Sequence, residues 1–206
     1  MKPAFYFSLL ALLVMAASTL FNTSPAQAQS GIELENVGAS HQFGEQITFV
    51  ATLKAPTSIQ SASIVISDDS QNLNRVEALT LQPDGRLEFR LDTRQVVLHP
   101  FTTIKWSYQI TLPDGSMLQS ETFSTRYMDN RFEWQTLEVG TLKVNWYQGD
   151  ATFGQAVLNA APTALASVSQ LMPGGNLAQP IEIFVYADTD ALRSTLALGG
   201  AEWVAG

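Results

Sequence analysis

The sequence predicts an α+β protein in which an N-terminal β-sandwich precedes the incomplete start of an α/β domain. Three observations predict this order. Apolar and polar residues alternate between residues 31 and 125, Pro-Asp-Gly turns separate neighbouring runs, and helical spacing replaces alternation after Asp150. Alternation with turn signals is typical of strands that have one solvated face, and three- and four-residue steps are typical of amphipathic helices. The predicted divisions are residues 1–28, 29–125 and 126–206.

The composition excludes several classes of protein. The 206 residues carry 11 basic and 19 acidic side chains, a net charge of −8, and no basic run. Nucleic-acid binding is not expected, because phosphate neutralisation requires clustered Lys and Arg. Cysteine is absent, so disulfides, thiolate zinc sites and a cysteine nucleophile are excluded.

The first 28 residues have the order of a secretory signal peptide. Lys2 is followed by an apolar run over residues 4–21, and the segment closes with Ala26-Gln27-Ala28. A basic start, an apolar middle and an A-x-A end predict cleavage after Ala28. The alternative is an uncleaved anchor helix, since about 18 apolar residues approach the shortest spanning length. In both cases we expect a secreted or cell-envelope location, and after cleavage no stable membrane span.

The alternating region predicts an immunoglobulin-like or fibronectin-III-like sandwich. About seven short strands fit the length, which is typical of such sandwiches. The turns at 83–85 and 113–115 are expected to reverse neighbouring strands into hairpins. Trp106 lies in the longest run, residues 104–110, in phase with its apolar neighbours. This phase predicts a core position for Trp106 rather than a surface that stacks on a ligand.

Neither histidine is placed for metal binding. His41 lies in the polar segment 40–42, which predicts a turn, and His99 precedes Pro100 in a loop. No second His or carboxylate stands at ligand spacing from either. Residues 68–72 carry two carboxylates, but the segment lacks the Gly and the late Glu of a calcium loop, so a solvated turn is expected.

The second half is expected to begin with a hairpin. Residues 126–130 are polar and predict the domain boundary. Two alternating runs follow, 132–137 and 142–147, and are expected to pair antiparallel. Trp146 and Tyr147 point to opposite faces of the second run. One of the two is therefore expected to be partly exposed, where it is a candidate contact for a partner.

A helix of about five turns is expected after Asp150, whose carboxylate can cap it. Pro162 is expected to kink this helix. The apolar run 181–186 predicts a strand buried on both faces, and Asp188 and Asp190 open a second helix, where capping explains them better than a catalytic carboxylate pair. The predicted buried face of the first helix consists of Phe153, Ala156, Val157, Ala160, Ala164, Leu165, Val168 and Leu171 or Met172.

The sequence contains no complete set of catalytic residues. It has no nucleophile-elbow serine and no phosphate-binding glycine loop. No catalytic, cofactor-binding or metal residue is therefore predicted in this chain. A strand buried on both faces also requires neighbouring strands and covering layers, which residues 126–206 supply only in part. We therefore expect the second domain to continue past Gly206.

Four landmarks occur in order between residues 127 and 206. They are Asp129-Asn130-Arg131-Phe132-x-Trp134, Val144-x-Trp146-Tyr147-x-Gly149-Asp150 with Phe153-Gly154, Pro180-Ile181 through Val185-Tyr186, and Trp203-Val204-x-Gly206. In these landmarks the segment resembles the N-terminal part of peptidase-MA-like metallohydrolases, secreted bacterial proteins related to the gluzincin zinc peptidases. A preceding sandwich and signal peptide suit that architecture.

The resemblance implies a zinc ion held by the two His of an HExxH motif and a downstream acidic ligand. The Glu of that motif would act as base for a zinc-bound water. HExxH does not occur in the 206 residues, and in the family it follows the region where this sequence stops. No catalytic or metal residue is transferred by the resemblance, and zinc is expected only in a longer parent protein.

Three hypotheses of function follow. In the first, the chain is the non-catalytic N-terminal portion of a secreted zinc-dependent metallopeptidase-like hydrolase, whose peptide or protein substrate binds to the missing part. In the second, it is a non-enzymatic extracytoplasmic binding or adhesion protein, with the exposed member of Trp146 and Tyr147 as a contact. In the third, it is a complete small hydrolase that uses carboxylates.

Overall fold

The structure, a computed structural model, describes residues 33–54, 58–68, 70, 73–171 and 180–198. It confirms the predicted fold class, because an antiparallel β-sandwich is followed by a mixed sheet with two helices. The predicted signal peptide, the helix ends at 173–176 and 199–200, and the landmark at Trp203 lie outside the described residues. In the part of the chain that is described, no helix is long and apolar enough to cross a membrane.

Eight strands form the sandwich. One sheet has the order β1-β2-β5, and the other has the order β4-β3-β6-β7, with β8 also paired to β6. The strand pairs are antiparallel in both sheets. The strands are β1 (Glu33–Gln42), β2 (Gln46–Lys54), β3 (Ser61–Asp68), β4 (Leu73–Leu79), β5 (Arg86–Asp92), β6 (Thr103–Thr111), β7 (Met117–Gln119) and β8 (Phe123–Arg126).

The sandwich core lies between the inner faces of the two sheets. Strands β2 and β3 alternate between buried and half-exposed residues, as the two-residue period of a strand requires. Trp106 is 4% exposed, and its ring lies 5.2 Å from that of Phe49 in the opposite sheet. The predicted core position of Trp106 is confirmed. Tyr127, which follows β8, belongs to the same core.

Only one of the two Pro-Asp-Gly turns forms a hairpin. Gly85 and Gly115 both have a φ of 83°, the left-handed conformation that glycine adopts readily. The turn at 113–115 joins β6 to β7, which pair with each other. The turn at 83–85 joins β4 to β5, which belong to different sheets, so the hairpin predicted there is wrong. This tight turn instead carries the chain from one sheet of the sandwich to the other.

The second half of the chain forms a three-stranded sheet with two helices, which we call the α/β segment. Strands β9 (Gln135–Val139) and β10 (Leu142–Trp146) are antiparallel, so the predicted hairpin is confirmed. Helix α1 (Ala151–Leu171) leads to β11 (Ile181–Val185), which pairs parallel with β10. Helix α2 (Thr189–Leu198) follows. The strand order is β11-β10-β9.

Strand β11 is half-buried, and the prediction that it is buried on both faces is wrong. All five of its residues have intermediate exposure, and the strand lies at an edge of the sheet that the described residues form. Ile181, Ile183 and Val185 pack into the cluster beneath α1, whereas Phe184 contacts the sandwich. The apolar run correctly indicated that both faces make apolar contacts, but these contacts leave the strand half-buried. It could not indicate an open edge, because edge position depends on strand order rather than on local pattern.

Helix α1 turns a different face to the sheet from the one predicted. The observed inner face is shifted by one residue, about 100° around the helix, so that Phe153 is 41% exposed. The cause is Gly154, which lies against the indole of Trp146. A Cβ at this position would lie 2.5 Å from the ring atoms Cζ2 and Cζ3. The buried or half-buried residues of this face are Gly154, Val157, Leu158, Ala161 and Leu165, and Ala156, Ala160 and Ala164 are exposed.

Candidate functional site

Trp146 and Tyr147 occupy opposite faces of the sheet, as predicted. Trp146 is 3% exposed and lies beneath α1, so it is a packing residue. Tyr147 is partly exposed on the other face, which makes it the member of the pair that could contact a partner. Its ring stacks on Phe132 at 4.1 Å between centroids, and its hydroxyl accepts a hydrogen bond of 3.0 Å from the backbone N–H of Ala187.

Tyr147 is part of an aromatic cluster where the α/β segment meets the sandwich. Trp134 lies at its centre, with edge-to-face contacts to five other rings at 5.2–6.1 Å. The indole N–H of Trp134 donates to the carbonyl of Asp129 at 2.8 Å, which fixes the ring. Each member has intermediate exposure, so the cluster offers a partly accessible aromatic surface. Its members are Phe101, Phe132, Trp134, Tyr147, Phe184 and Tyr186.

Asp129 is the most fully bonded carboxylate described at this junction, although its segment was predicted to be a polar boundary. Its side chain is fully buried. The guanidinium of Arg131 donates to both oxygens, at 2.8 and 2.7 Å. The hydroxyls of Tyr186 and Thr195 each donate to Oδ2 at 3.0 Å. The segment is therefore an internal connection between β8, β11 and α2, and its polar residues, from which a domain boundary was predicted at 126–130, make contacts to both halves of the chain.

The surroundings of Asp129 favour its ionised form. Burial raises the pKa of its carboxyl, but hydrogen bonds from Arg131, Thr195 and Tyr186 outweigh burial, so the pKa lies below its usual value. Burial and the nearby carboxylate also raise the pKa of the Tyr186 hydroxyl. A carboxylate whose lone pairs are already occupied is a poor proton acceptor. We therefore assign Asp129 a structural role and not that of a general base.

A row of polar side chains crosses the sheet face that meets the sandwich. Thr136 donates to Asn145 at 2.8 Å, and Asn145, which is 2% exposed, donates to Glu182 at 2.9 Å. Arg126 of the sandwich and Lys143 form ion pairs with Glu182. Burial raises the pKa of Glu182, but the bonds from Arg126 and Asn145 outweigh burial and lower it overall. This row connects all three strands to the last strand of the sandwich.

The two histidines lie apart, and one was misplaced by the sequence prediction. His41 was predicted in a polar turn, but it lies in β1, half-buried, with Nε2 2.9 Å from the carbonyl of Met128. Pairing with β2 recruits it into the strand, and Tyr127 packs against its ring at 5.3 Å. His99 lies exposed in a loop, as predicted. Among the described residues, no group of three His, Cys, Asp or Glu side chains could hold a metal ion.

Asp68 is buried, so the solvated turn predicted for it is wrong. It is 1% exposed, and it accepts hydrogen bonds from the hydroxyls of Ser70 and Thr102, at 2.6 and 2.8 Å. Its neighbours Asp69 and Asn72 lie outside the described residues. Ser70 is a local partner, but Thr102 comes from a loop 34 residues away, which a local sequence pattern cannot indicate.

Asp150 and Asp188 cap helices, as predicted. Asp150 accepts backbone N–H bonds from Thr152 and Phe153 at the start of α1, and Asp188 accepts one from Ala191 at the start of α2. Both positions match the N-cap role of aspartate. The carboxylate pair considered from the sequence was Asp188 and Asp190. Asp188 is engaged at the helix terminus and Asp190 lies in the first turn of α2, so the carboxylate-pair hydrolase hypothesis gains no support from Asp188.

The described residues that sequence reasoning missed all belong to the contact between the two halves. Asp129, Arg131 and Trp134 were noted as one family landmark, but no role was derived for them. One signal was present, since an Asp and an Arg two positions apart can form a bidentate pair, and they do so here in a turn. Chemically, the arrangement fixes two domains in register and exposes aromatic rings. It provides no nucleophile and base within bonding distance.

Comparisons with known proteins leave the family of this chain open. No family model matches, and no curated protein matches. Several solved structures have partial similarity. A β-1,3-glucan-binding carbohydrate-binding module of family 56 has 13% identity and a TM-score of 0.32, over 46% of this chain and 99% of that chain. The sensor domain of an anti-sigma factor from Pseudobacteroides cellulosolvens has 13% identity and a TM-score of 0.35, over 48% and 97%.

A polysaccharide deacetylase from Bacillus cereus is similar over a longer stretch. It has 10% identity and a TM-score of 0.37, over 82% of this chain and 43% of that chain. The present chain therefore spans less than half of the length of that enzyme. Similarity at these values does not distinguish one function from another, and the assignment of function rests on the residues described above.

Proposed function

We propose that this chain is the non-catalytic N-terminal portion of a secreted zinc-dependent metallopeptidase-like hydrolase, with its HExxH site downstream of residue 206. The sandwich and the α/β segment together form a scaffold beside the catalytic part. The location is outside the cytoplasm, and zinc belongs to the longer parent protein. The substrate class that follows from this proposal is a peptide or protein.

One observation carries the proposal. The three-stranded sheet has a parallel β10-α1-β11 unit, followed by α2, and β11 lies at a half-exposed edge. Parallel sheets are ordinarily covered on both faces and extended by further strands. An apolar strand at an edge therefore fits the first part of a larger α/β domain better than it fits a finished one.

The family landmarks add support because they have connected structural roles. Asp129, Arg131 and Trp134 form the junction with the sandwich. Trp146 and Gly154 set the close approach of α1 to the sheet, and Tyr186 binds Asp129. Their order and spacing in the sequence thus match one packed unit. Independent short matches would have no reason to meet in this way.

The proposal is tested on the gene beyond position 206 and on the full-length protein that it encodes. We expect an HExxH motif on a helix within about 100 codons after position 206. We also expect the purified full-length product to contain zinc in stoichiometric amount and to lose it when both motif His residues are changed to Ala. A stop codon directly after position 206, or a full-length product without zinc, would contradict the proposal. The 206-residue chain, expected to bind no zinc, is the control.

A second candidate function is favoured by the aromatic cluster. Partly exposed rings can stack on sugar rings or apolar side chains of a ligand, and aromatic residues are enriched at binding surfaces. In this case the chain is an extracytoplasmic binding or adhesion protein, and Tyr147 is its contact residue.

Tryptophan fluorescence can test this alternative, because Trp134 lies 5.2 Å from Tyr147. Soluble peptides and oligosaccharides would be titrated into the chain. Saturable quenching that Tyr147→Ala abolishes would support binding at the cluster. Phe153→Ala is the matched control, since Phe153 is exposed but lies outside the cluster. Equal losses in both variants would argue against a site at Tyr147.

A further inference from the structure

The sandwich presents one strained residue to the α/β segment. Phe101 has a φ of 64°, in the left-handed region that side chains other than glycine rarely adopt. Its ring stacks on Phe184 of β11 at 3.4 Å between centroids and an interplanar angle of 8°. Residues held in such conformations persist where the surrounding structure fixes them, and they concentrate at functional positions.

The sandwich fixes Phe101 from both sides. The Phe101 N–H donates to the carbonyl of Tyr127 at 2.8 Å, and the carbonyl of Phe101 accepts from Arg126 Nε at 3.2 Å. The next residue, Thr102, donates its hydroxyl to buried Asp68 at 2.8 Å. These partners all belong to the sandwich or to the residue directly after β8. The conformation of Phe101 is therefore set by the sandwich itself, independently of Phe184.

A second set of contacts fastens the opposite side of the junction. The Arg131 guanidinium lies 5.0 Å from the ring of Phe43 in the β1–β2 turn, and Asn130 Oδ1 accepts a hydrogen bond of 3.0 Å from the Phe43 N–H. Leu198 at the end of α2 packs against the sandwich core. Together with the ion pair between Arg126 and Glu182, the contacts span the end of the sandwich.

We infer that this junction is a rigid lock that holds the sandwich and the α/β segment as one body, with Phe101 as its anchor and Asp68 as the residue that positions Phe101. The inference does not depend on the proposed hydrolase function, because it concerns only contacts within the chain. A flexible tether between the halves would need neither a strained anchor nor a buried Asp129 that is bonded to Tyr186 and Thr195, and both are present. The sandwich is thereby a fixed wall of the molecule rather than a mobile appendage.

The absence of cysteine permits a direct test on the full chain. Spin labels at V76C on the sandwich and Q155C on α1 occupy exposed positions. Pulsed electron paramagnetic resonance should give a single narrow distance distribution in the parent. Phe184→Ala should broaden it, while Val97→Ala, an exposed change near the same loop, should leave it narrow. A distribution that stays narrow in both Phe184→Ala and Phe101→Ala overturns the inference.

Hydrogen exchange keeps the test decisive if a variant is unstable. Phe184→Ala should accelerate exchange in β9, β10 and β11 roughly tenfold or more, the loss expected for one stacked aromatic pair, with β2 and β3 unchanged. Exchange in β9, β10 and β11 that stays at the rate of the parent would overturn the inference, because the ring stack between Phe101 and Phe184 would then not stabilise the α/β segment.

The same distance measurement, made in two backgrounds, tests the role of Asp68. If Asp68 acts through Phe101, Asp68→Asn should broaden the distance distribution in the parent but add nothing in the Phe101→Ala background. Broadening of equal size in both backgrounds would overturn the positioning role and leave Asp68 as a support of the sandwich alone.

Discussion

The close approach of α1 to the sheet gives the sharpest quantitative prediction. Gly154 lies on the inner face of the helix, and a methyl group there would lie 2.5 Å from Cζ2 and Cζ3 of Trp146 and nearer still to Cη2. Ordinary carbon contacts are about 3.5–4.0 Å, so Gly154→Ala overlaps the ring by roughly 1 Å. Trp146 is 3% exposed and cannot move into solvent without separating the helix from the sheet.

Two opposing free energies decide the result for Gly154→Ala. Alanine favours a helix over glycine by about 1 kcal/mol. Overpacking a filled core costs about 1–3 kcal/mol, and the large overlap places this site in the upper part of that range. We expect a net loss of about 1–2 kcal/mol in the free energy of unfolding. Urea denaturation followed by far-UV circular dichroism measures this value.

A double-mutant cycle identifies the cause. In a Trp146→Phe background the ring is smaller, so Gly154→Ala should change sign and stabilise the protein by about 1 kcal/mol, the helix-propensity gain alone. Ala160→Gly, at an exposed position of α1, is the control and should cost about 1 kcal/mol in either background. The packing argument is refuted if Gly154→Ala stabilises the protein to the same extent with and without the full indole.

Three further predictions concern single groups. Asp129→Asn should destabilise the chain at neutral pH by about 1–3 kcal/mol, because the buried carboxylate loses its charge-assisted hydrogen bonds while Arg131, whose side chain is 35% exposed, stays solvated. Because the pKa of Asp129 is lowered by folding, its stabilisation is present above the ordinary value of 3.8 and is lost as the pH falls through the lower folded value. Acid titrations of unfolding should therefore be flatter for the variant, and parallel curves would contradict this. Burial raises the pKa of Tyr108 from 10.0 to about 12, so stability should fall as the pH rises between these values, and Tyr108→Phe should lessen that fall in alkaline denaturation. Asp150→Ala should lower the free energy of unfolding by about 1 kcal/mol, because α1 loses its N-cap. Thermal melting measures this loss, and Asp84→Ala, a change in an exposed turn, is the control.

Local patterns in the sequence were sufficient for several strands, for the β9–β10 hairpin and for two helix caps. Alternation identified β2, β3 and β6 because each has one face in the core, and period two then appears directly in the residues. Asp150 and Asp188 were predictable because capping depends on backbone groups two or three residues away. These features depend on residues that are near neighbours in the sequence, so a local pattern is sufficient to predict them.

The junction could not be predicted because its contacts are distant in sequence. Asp129 binds Thr195, 66 residues away, and Asp68 binds Thr102, 34 residues away. Polar residues such as these look solvated until their partners are known. The prediction of which face of α1 turns towards the sheet was wrong for a related reason. Phe153 and Gly154 are adjacent, and a sequence pattern assigns the inner face to the larger apolar residue. Gly154 takes the inner position because the indole of Trp146 lies too close for a Cβ.

The edge position of β11 has a practical consequence for handling the protein. Strand edges in native proteins are commonly blocked by lysine, proline or a bulge. In β11 the described residues are Ile181, Glu182, Ile183, Phe184 and Val185, and Glu182 is already paired with Arg126. No described strand pairs with the outer edge of β11, so the β11 backbone can act as a template for intermolecular pairing. We expect the 206-residue chain to aggregate through this strand when concentrated, and light scattering at rising protein concentration measures this.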